Sequence, residues 1–241
     1  MQSFGIFKNN LRLTLIRKNK LQYQTIQTNR FQETKDFYAK TLGIEINEET
    51  SDVFSVRIGW SILRFQKSID SCLYHYCFLI PSNSLEKALV WMGKRMDIIE
   101  VEDGEKIVNF EEWNADSFYF YDGSGNIAEL IVHYDLDNSI KQEFDFSAVL
   151  GISEIGIGTN DVESTNSFLE ENCHTDFWKG DLIRFGTNGS AEGKFLIANY
   201  NKKEIWFPTQ IKIKPVPFEV EIENRNKVYR LEYIDGNLRK V

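Results

Sequence analysis

The chain is short of cysteine, of positive charge and of long apolar runs. Its three cysteines, Cys72, Cys77 and Cys173, are odd in number and lack metal-site spacing. That excludes a disulfide framework and fits reduced thiols in a cytoplasmic protein. Lys and Arg number 28 against 36 Asp and Glu, a net charge of −8. Nucleic-acid binding needs a basic face to displace counterions, so no nucleic-acid partner is expected. No apolar run approaches the roughly 18–20 residues of a membrane-spanning helix, so no membrane partner is expected either.

What is present is core-forming material: 42% of the 241 residues are hydrophobic and 14% aromatic. Disorder is excluded, and the length suits one large domain or two small ones. Charge is uneven. The first 20 residues carry Lys8, Arg12, Arg17, Lys18 and Lys20 and no acid, so the remainder holds −13. Arg12 breaks the apolar stretch Leu11–Ile16, and no small-residue cleavage site follows it. Residues 1–20 therefore read as a basic extension or one added strand, with an import presequence left open.

A repeat organises the rest. Thr28-Asn29-Arg30-Phe31-Gln32-Glu33-Thr34-Lys35-Asp36-Phe37 aligns with Thr159-Asn160-Asp161-Val162-Glu163-Ser164-Thr165-Asn166-Ser167-Phe168, with Thr, Asn, Thr and Phe at identical places. The Asn followed three residues later by Gln or Glu predicts a capped helix start, and Asn83 with Glu86 gives a third copy. Each copy follows a short strand candidate: Tyr23–Gln27, His75–Ile80 and Glu154–Gly158. Further candidates follow each helix: Asp52–Ile58 and Ser61–Phe65, then Asp97–Val101, Lys106–Phe110, Ser117–Tyr121 and Ile127–His133, then Leu182–Phe185 and Lys194–Ala198. The unit is strand, helix, then about three strands, and such units should pack in pairs. After Pro208 only Phe218–Glu223 and Lys227–Tyr233 read as strands, without a helix. The expected division is an extension over 1–20, a first domain of two units over 21–135, a linker over 136–149 and a degenerate second domain over 150–241.

The stretch Phe118-Tyr119-Phe120-Tyr121-Asp122-Gly123-Ser124-Gly125-Asn126-Ile127-Ala128-Glu129-Leu130-Ile131 resembles the closing hairpin of the vicinal oxygen chelate superfamily. That group comprises glyoxalases, extradiol dioxygenases, fosfomycin-resistance transferases and bleomycin-resistance proteins. Phe37-Tyr38 followed by Thr41-Leu42-Gly43 resembles its first helix. The resemblance implies an α+β fold of tandem paired βαβββ modules forming cup-shaped incomplete barrels, here with the last module truncated. It also implies a divalent metal (Fe, Mn, Ni or Zn) acting as a Lewis acid on a small oxygenated molecule.

Strand alternation then selects inward side chains. On the closing strand, Ala128, Leu130 and Val132 should face helices and Glu129 the cup; His75 and Cys77 should face the cup on the strand beside it. Glu129 and His75 match the family's metal positions. In the first unit the corresponding residues are Tyr23, with Thr25 and Gln27 on its face, and Arg64, which stands where glyoxalases carry a Glu. The expected site is thus His75, Glu129 and Tyr23 for the metal, Glu129 and Tyr23 for acid–base work, and Arg64, Gln27 and Cys77 against substrate. Glu154 sits at the ligand position of the third unit, with Gly156 and Gly158 making room, in a half read as vestigial. Three functions stand: a metal-dependent lyase, isomerase or dioxygenase, a metal-free binding protein of the bleomycin-resistance type, and a protein-interaction role with the cup filled by its own side chains. A small-molecule ligand is expected, and a homodimer is left open.

Overall fold

Period-two alternation from Asn19 to Lys240 yields fifteen strands against three α-helices in the computed structural model, which describes residues 19–241. The basic extension, apart from its last two residues, lies outside the described residues. The first module comprises β1 (Asn19–Thr28), α1 (Phe31–Asp36) running on into a π-turn over Phe37–Thr41, β2 (Ile46–Glu49), β3 (Val53–Ile58) and β4 (Ser61–Lys67). The second comprises β5 (His75–Leu79), α2 (Leu85–Gly93), β6 (Val108–Phe110), β7 (Ala115–Tyr121) and β8 (Ile127–His133). The third comprises β9 (Gly151–Thr159), α3 (Val162–Cys173), β10 (Phe177–Gly180), β11 (Phe185–Ser190) and β12 (Gly193–Asn199). Three strands without a helix end the chain: β13 (Phe218–Asn224), β14 (Lys227–Ile234) and β15 (Asn237–Lys240). The α+β class, the three βαβββ modules and the truncated last one agree with the sequence expectation.

Within each full module the first and closing strands run parallel as neighbours: β1 with β4, β5 with β8, β9 with β12. Between modules the partners are not sequence neighbours. β5 pairs antiparallel with β9, and β1 pairs antiparallel with β13. One cup therefore spans β6-β7-β8-β5-β9-β12-β11-β10 and the other β2-β3-β4-β1-β13-β14-β15, joined at Leu21 and Ile152. The expectation that the first two modules close one cup between them is corrected by these registers. Two further strand expectations also change. Asp97–Val101 is not a strand, and β11 begins at Phe185, leaving Leu182 and Ile183 exposed in the loop before it.

The repeat works through its threonines rather than its asparagines. Thr28 Oγ1 accepts from Arg30 N at 3.0 Å, and Thr34 Oγ1 donates to Arg30 O at 2.6 Å. In the third module Thr159 Oγ1 accepts from Asp161 N at 3.1 Å, and Thr165 Oγ1 donates to Asp161 O at 2.8 Å. In each pair the first threonine satisfies an N–H that a helix start leaves free, and the second adds a hydroxyl donor to the carbonyl that opens the helix. Asp161, not Asn160, caps α3, accepting from Ser164 N at 3.0 Å. Asn83 instead exchanges two hydrogen bonds with Ile140, at 2.7 and 3.0 Å, and ties down the segment between β8 and β9. Phe144 and Phe146 of that segment are buried, with Trp91 of α2 against both rings.

Alternation sorts the faces as expected. Ala128, Leu130 and Val132 of β8, with Tyr76 and Phe78 of β5, join the helix-side core. Ile127, Ile131, Cys77 and Leu79 belong to small clusters on the opposite, concave side. The hairpin turn between β7 and β8 is held by Asp122. Its Oδ1 accepts from Ser124 N (2.8 Å) and Asn126 N (2.9 Å), and its Oδ2 from the Tyr76 hydroxyl (2.6 Å). Five donors, counting Asn126 Nδ2 at 2.9 Å and the Tyr38 hydroxyl at 3.5 Å, make this buried carboxylate structural. Gly125, at φ +85°, supplies the left-handed position the turn requires.

Candidate functional site

The registers line up one row of side chains across the concave face of the β5–β9 cup. Cys77 is the Cα partner of Glu129 on one side and of Glu154 on the other, and Glu154 is the partner of Lys194 on β12. Two residues away from Cys77 along β5 stands His75, beside Ile127. All five side chains are buried, Glu129 to 2% and Glu154 to 1% exposure.

Three of them converge. Ligand atoms of His75, Glu129 and Glu154 all lie within 4.8 Å of one another. His75 Nε2 is 3.5 Å from Glu129 Oε2, while its Nδ1 is 3.2 Å from Ile127 O. A backbone carbonyl only accepts, so Nδ1 carries the proton and Nε2 offers a lone pair to the cluster. Burial holds the imidazole below its ordinary pKa, so it stays neutral. Glu129 moves the other way. Burial first, then the nearby charge of Glu154, pushes its carboxyl up to about 8. Cys77, wedged between the two glutamates, is held well above the thiol range by burial and by both carboxylates, which makes it an inert spacer.

The fourth corner is a cation. Lys194 Nζ lies 2.7 Å from Glu154 Oε1, an ion pair whose angle falls outside hydrogen-bond geometry. The ammonium also stands 5.1 Å from the ring centres of Trp113 and Trp178, and 3.3 Å from His133 Nε2. His133 is pushed down to about 3 by burial and by this neighbour, so it accepts from the lysine as neutral imidazole. Two carboxylates thus face one fixed cation. One negative charge is left over, and that favours either a proton or a bound cation. One imidazole and two carboxylates form a donor set suited to Mn, Fe or Zn.

Above the cluster opens a cavity of about 330 Å³ whose floor is His75, Glu129 and Glu154. Its walls are aromatic: Tyr119, Trp206, Phe207, Phe110, Trp113 and Phe185. Arg184 and Lys203 line it as well. Gly156 makes the room expected of it. A Cβ there would fall 2.7 Å from the Trp206 ring, which sits over the strand and 5.4 Å from the His75 ring.

The remaining expected site residues fall elsewhere. Tyr23 lines a separate cavity of about 230 Å³ in the other cup, with Glu219, Glu221, Arg230 and Glu232. Burial raises its phenol above the ordinary tyrosine value, with Arg64 opposing and Glu48 adding to the rise. Arg64 pairs with Glu48 on β2 at 3.4 Å, and Gln27 lines a small recess beside Thr25 and Gln66. The structure therefore unites His75, Glu129, Cys77 and Glu154, and does not bring Tyr23, Arg64 or Gln27 to them. The reason is the pairing of β5 with β9 instead of β1. Glu154, Lys194 and the Trp206-Phe207 wall are functional candidates that sequence reasoning passed over as vestigial or structural. A signal was present: a Glu at the first-strand ligand position together with a Lys directly before the apolar run Phe195-Leu196-Ile197-Ala198 of a closing strand.

No family model matches the chain, and no curated protein sequence matches it. Solved structures do. A candidate dioxygenase of Bacillus subtilis is similar over 89% of this chain and 85% of its own, with TM-score 0.53 and 13% identity. A lactoylglutathione lyase of Agrobacterium tumefaciens matches 48% of this chain and 96% of its own, with TM-score 0.41 and 12% identity. A variant of the fosfomycin resistance protein of Listeria monocytogenes, in complex with Mn(II), matches 45% of this chain and 85% of its own, with TM-score 0.35 and 15% identity. The first of these carries the comparison. It shows that this chain shares the fold of that protein across nearly its whole length.

Proposed function

We propose that the cup between β5 and β9 is a divalent-metal site with His75, Glu129 and Glu154 as ligands. On this reading the protein is a metal-dependent lyase, isomerase or dioxygenase acting on a small oxygenated molecule. The observation that carries it is the convergence of three buried ligand atoms, with one uncompensated negative charge, at the floor of an aromatic-walled cavity. A second buried carboxylate beside an already paired one is costly in its charged form, and a bound cation would offset that cost.

A divalent cation held there would supply Lewis acidity toward substrate oxygens. The chain's own residues do the rest. Ile127 O fixes the His75 tautomer. Lys194 holds one oxygen of Glu154 and keeps part of the floor's charge neutralised. Glu129, whose carboxyl binds a proton more readily than usual, can hold or release a proton at the cavity floor. Trp206, Tyr119 and Phe207 exclude water above it.

The test is elemental analysis of protein purified without chelator, with melting curves in manganese, iron(II), nickel and zinc. A bound metal in near-stoichiometric amount and a rise in Tm that Glu129→Gln removes are expected. Metal-free protein whose Tm none of the four ions moves would overturn the reading. A ligand-induced rise indifferent to chelator would favour the bleomycin-resistance type instead.

A further inference from the structure

We propose that the ligand of this cavity is an organic anion with a planar apolar body, its carboxylate or phosphonate held by Arg184 and Lys203. The proposal rests on the reading above only in taking the β5–β9 cavity as the ligand site.

Two cations line one wall of a cavity whose floor is acidic. Among the described residues, neither forms an ion pair. Asp181, the acid nearest Arg184 in sequence, is already engaged. Its Oδ1 accepts from Ile183 N at 2.7 Å and Arg184 N at 2.6 Å, so it organises the loop backbone, and it feels the Arg184 charge without forming an ion pair with the guanidinium. Glu112, which also lines the cavity, forms no ion pair with either cation.

The two cations are close enough to feel each other. Lys203 is half-buried, and its pKa is lowered by burial and then by the charge of Arg184. The Lys203 charge in turn reaches the floor, where it contributes to keeping His75 neutral. Its ammonium stands 5.7 Å from the centre of the Phe185 ring. Lys203 is half-buried beside the exposed Arg184, and a bound anion would offset the repulsion between the two cations and give the partly desolvated ammonium a counter-charge. The guanidinium fork suits a carboxylate or a phosphonate equally, and the lysine adds a point charge beside it. The apolar body follows from the walls. Trp206, Tyr119 and Phe207 form a connected aromatic surface, Tyr119 and Phe207 meeting edge to face at 5.8 Å. Flat apolar ligands stack on such surfaces with little ordering cost.

The experiment is calorimetric titration of the full chain with benzoate, with phenylphosphonate and with benzyl alcohol as the neutral probe. Each is run on chelator-treated and on manganese-treated protein. At least one of the two anions should bind, with affinity falling as salt rises, and benzyl alcohol should bind about tenfold more weakly or not at all. The double substitution Arg184→Gln with Lys203→Gln should weaken the anion about tenfold or more, the scale of losing charge-assisted hydrogen bonds. Both residues sit at the surface of the cavity, and the manganese-induced rise in Tm should survive the double substitution. Benzoate against phenylphosphonate separates the two anion chemistries. The proposal is overturned if benzyl alcohol matches the anions, if neither anion binds, or if the double variant binds them unchanged. Anion binding without any metal-induced rise would sink the metal reading and leave this one standing.

Discussion

Across the β5–β9 cup the row at the floor reads Glu129, Cys77, Glu154, Lys194; across the β1–β13 cup the corresponding row reads Arg64, Thr25, Glu219, Glu232. The first cup has two parallel pairings of first and closing strands, β5 with β8 and β9 with β12; the second has one, β1 with β4, beside the antiparallel β13 and β14. The charges of the two cups meet different fates. In the first, Lys194 and Glu154 are 0% and 2% exposed and a second carboxylate stands beside them. In the second, Arg64 and Glu48 are 23% and 48% exposed, and Arg230 and Glu221, 2.7 Å apart, are 69% and 25% exposed. Exposed pairs are screened by water and contribute little, so the second cup has no charge in need of a partner. The comparison shows that the scaffold alone does not make a site. Burial and an unbalanced count of charges do.

The largest effect should therefore separate the cups by metal. At a concentration about a hundredfold above Kd, binding stabilises by roughly 2.7 kcal/mol, or about 5–10 °C in a chain of this size. His75→Ala and Glu129→Gln should abolish that rise, whereas Tyr23→Phe and Arg64→Ala should leave it intact. A rise lost on changing Tyr23 would show that the two cups act as one site and would break the comparison.

Next in size is the packing that roofs only one cup. Gly156 lies under Trp206 and has no glycine counterpart on β1, where Thr25 and Gln27 line the concave face. Gly156→Ala should displace the indole at a cost of about 1–3 kcal/mol, as overpacked cores typically show. Melting curves would read the loss, and acrylamide quenching of tryptophan fluorescence should increase. An unchanged Tm with unchanged quenching would mean that the wall is not seated on this strand.

The sequence made the modules legible because their signals are local. Alternation on β8 put Glu129 on the concave side, and the Asp122–Asn126 turn fixed where that strand begins. The repeated threonines were visible too, although their role went to the neighbouring asparagines, since a hydroxyl bonding across a strand-to-helix corner leaves no pattern of its own. What stayed hidden was which modules share a cup. Pairing of β5 with β9 instead of β1 depends on contacts far apart in sequence, and each module presents the same edge to any partner. That one non-local choice removes Tyr23 from the site and brings in Glu154. It also explains why Lys194 read as core filler: alone in an apolar strand it has no visible partner, and its carboxylate lies 40 residues earlier. Trp206 and Phe207 sit outside any module, in a loop with no periodicity to read.

The smallest effect tests the unbalanced charge itself, without metal. Burial raises the Glu129 carboxyl to about 8, so the folded protein holds a proton that the unfolded chain has already released above the ordinary carboxylate range. The sign follows. This contribution is fully present below the unfolded pKa and is lost as pH rises through the folded one. Asp122, raised by burial as well, acts in the same direction, while His75 and His133, both lowered, act oppositely and only below the ordinary histidine value. Between pH 7 and 9 the histidines are neutral in both states and drop out. There, chelator-treated wild type should lose Tm relative to Glu129→Gln, by about 2–4 °C for each kcal/mol involved. Glu219→Gln in the other cup is an exposed substitution and should track wild type within the small range such changes span. Metal should reverse the order, because the glutamine variant has the neutral amide but has lost the ligand. Parallel pH curves for wild type and Glu129→Gln would mean that Lys194 already balances the floor, and the distinction between the two cups would then rest on burial alone.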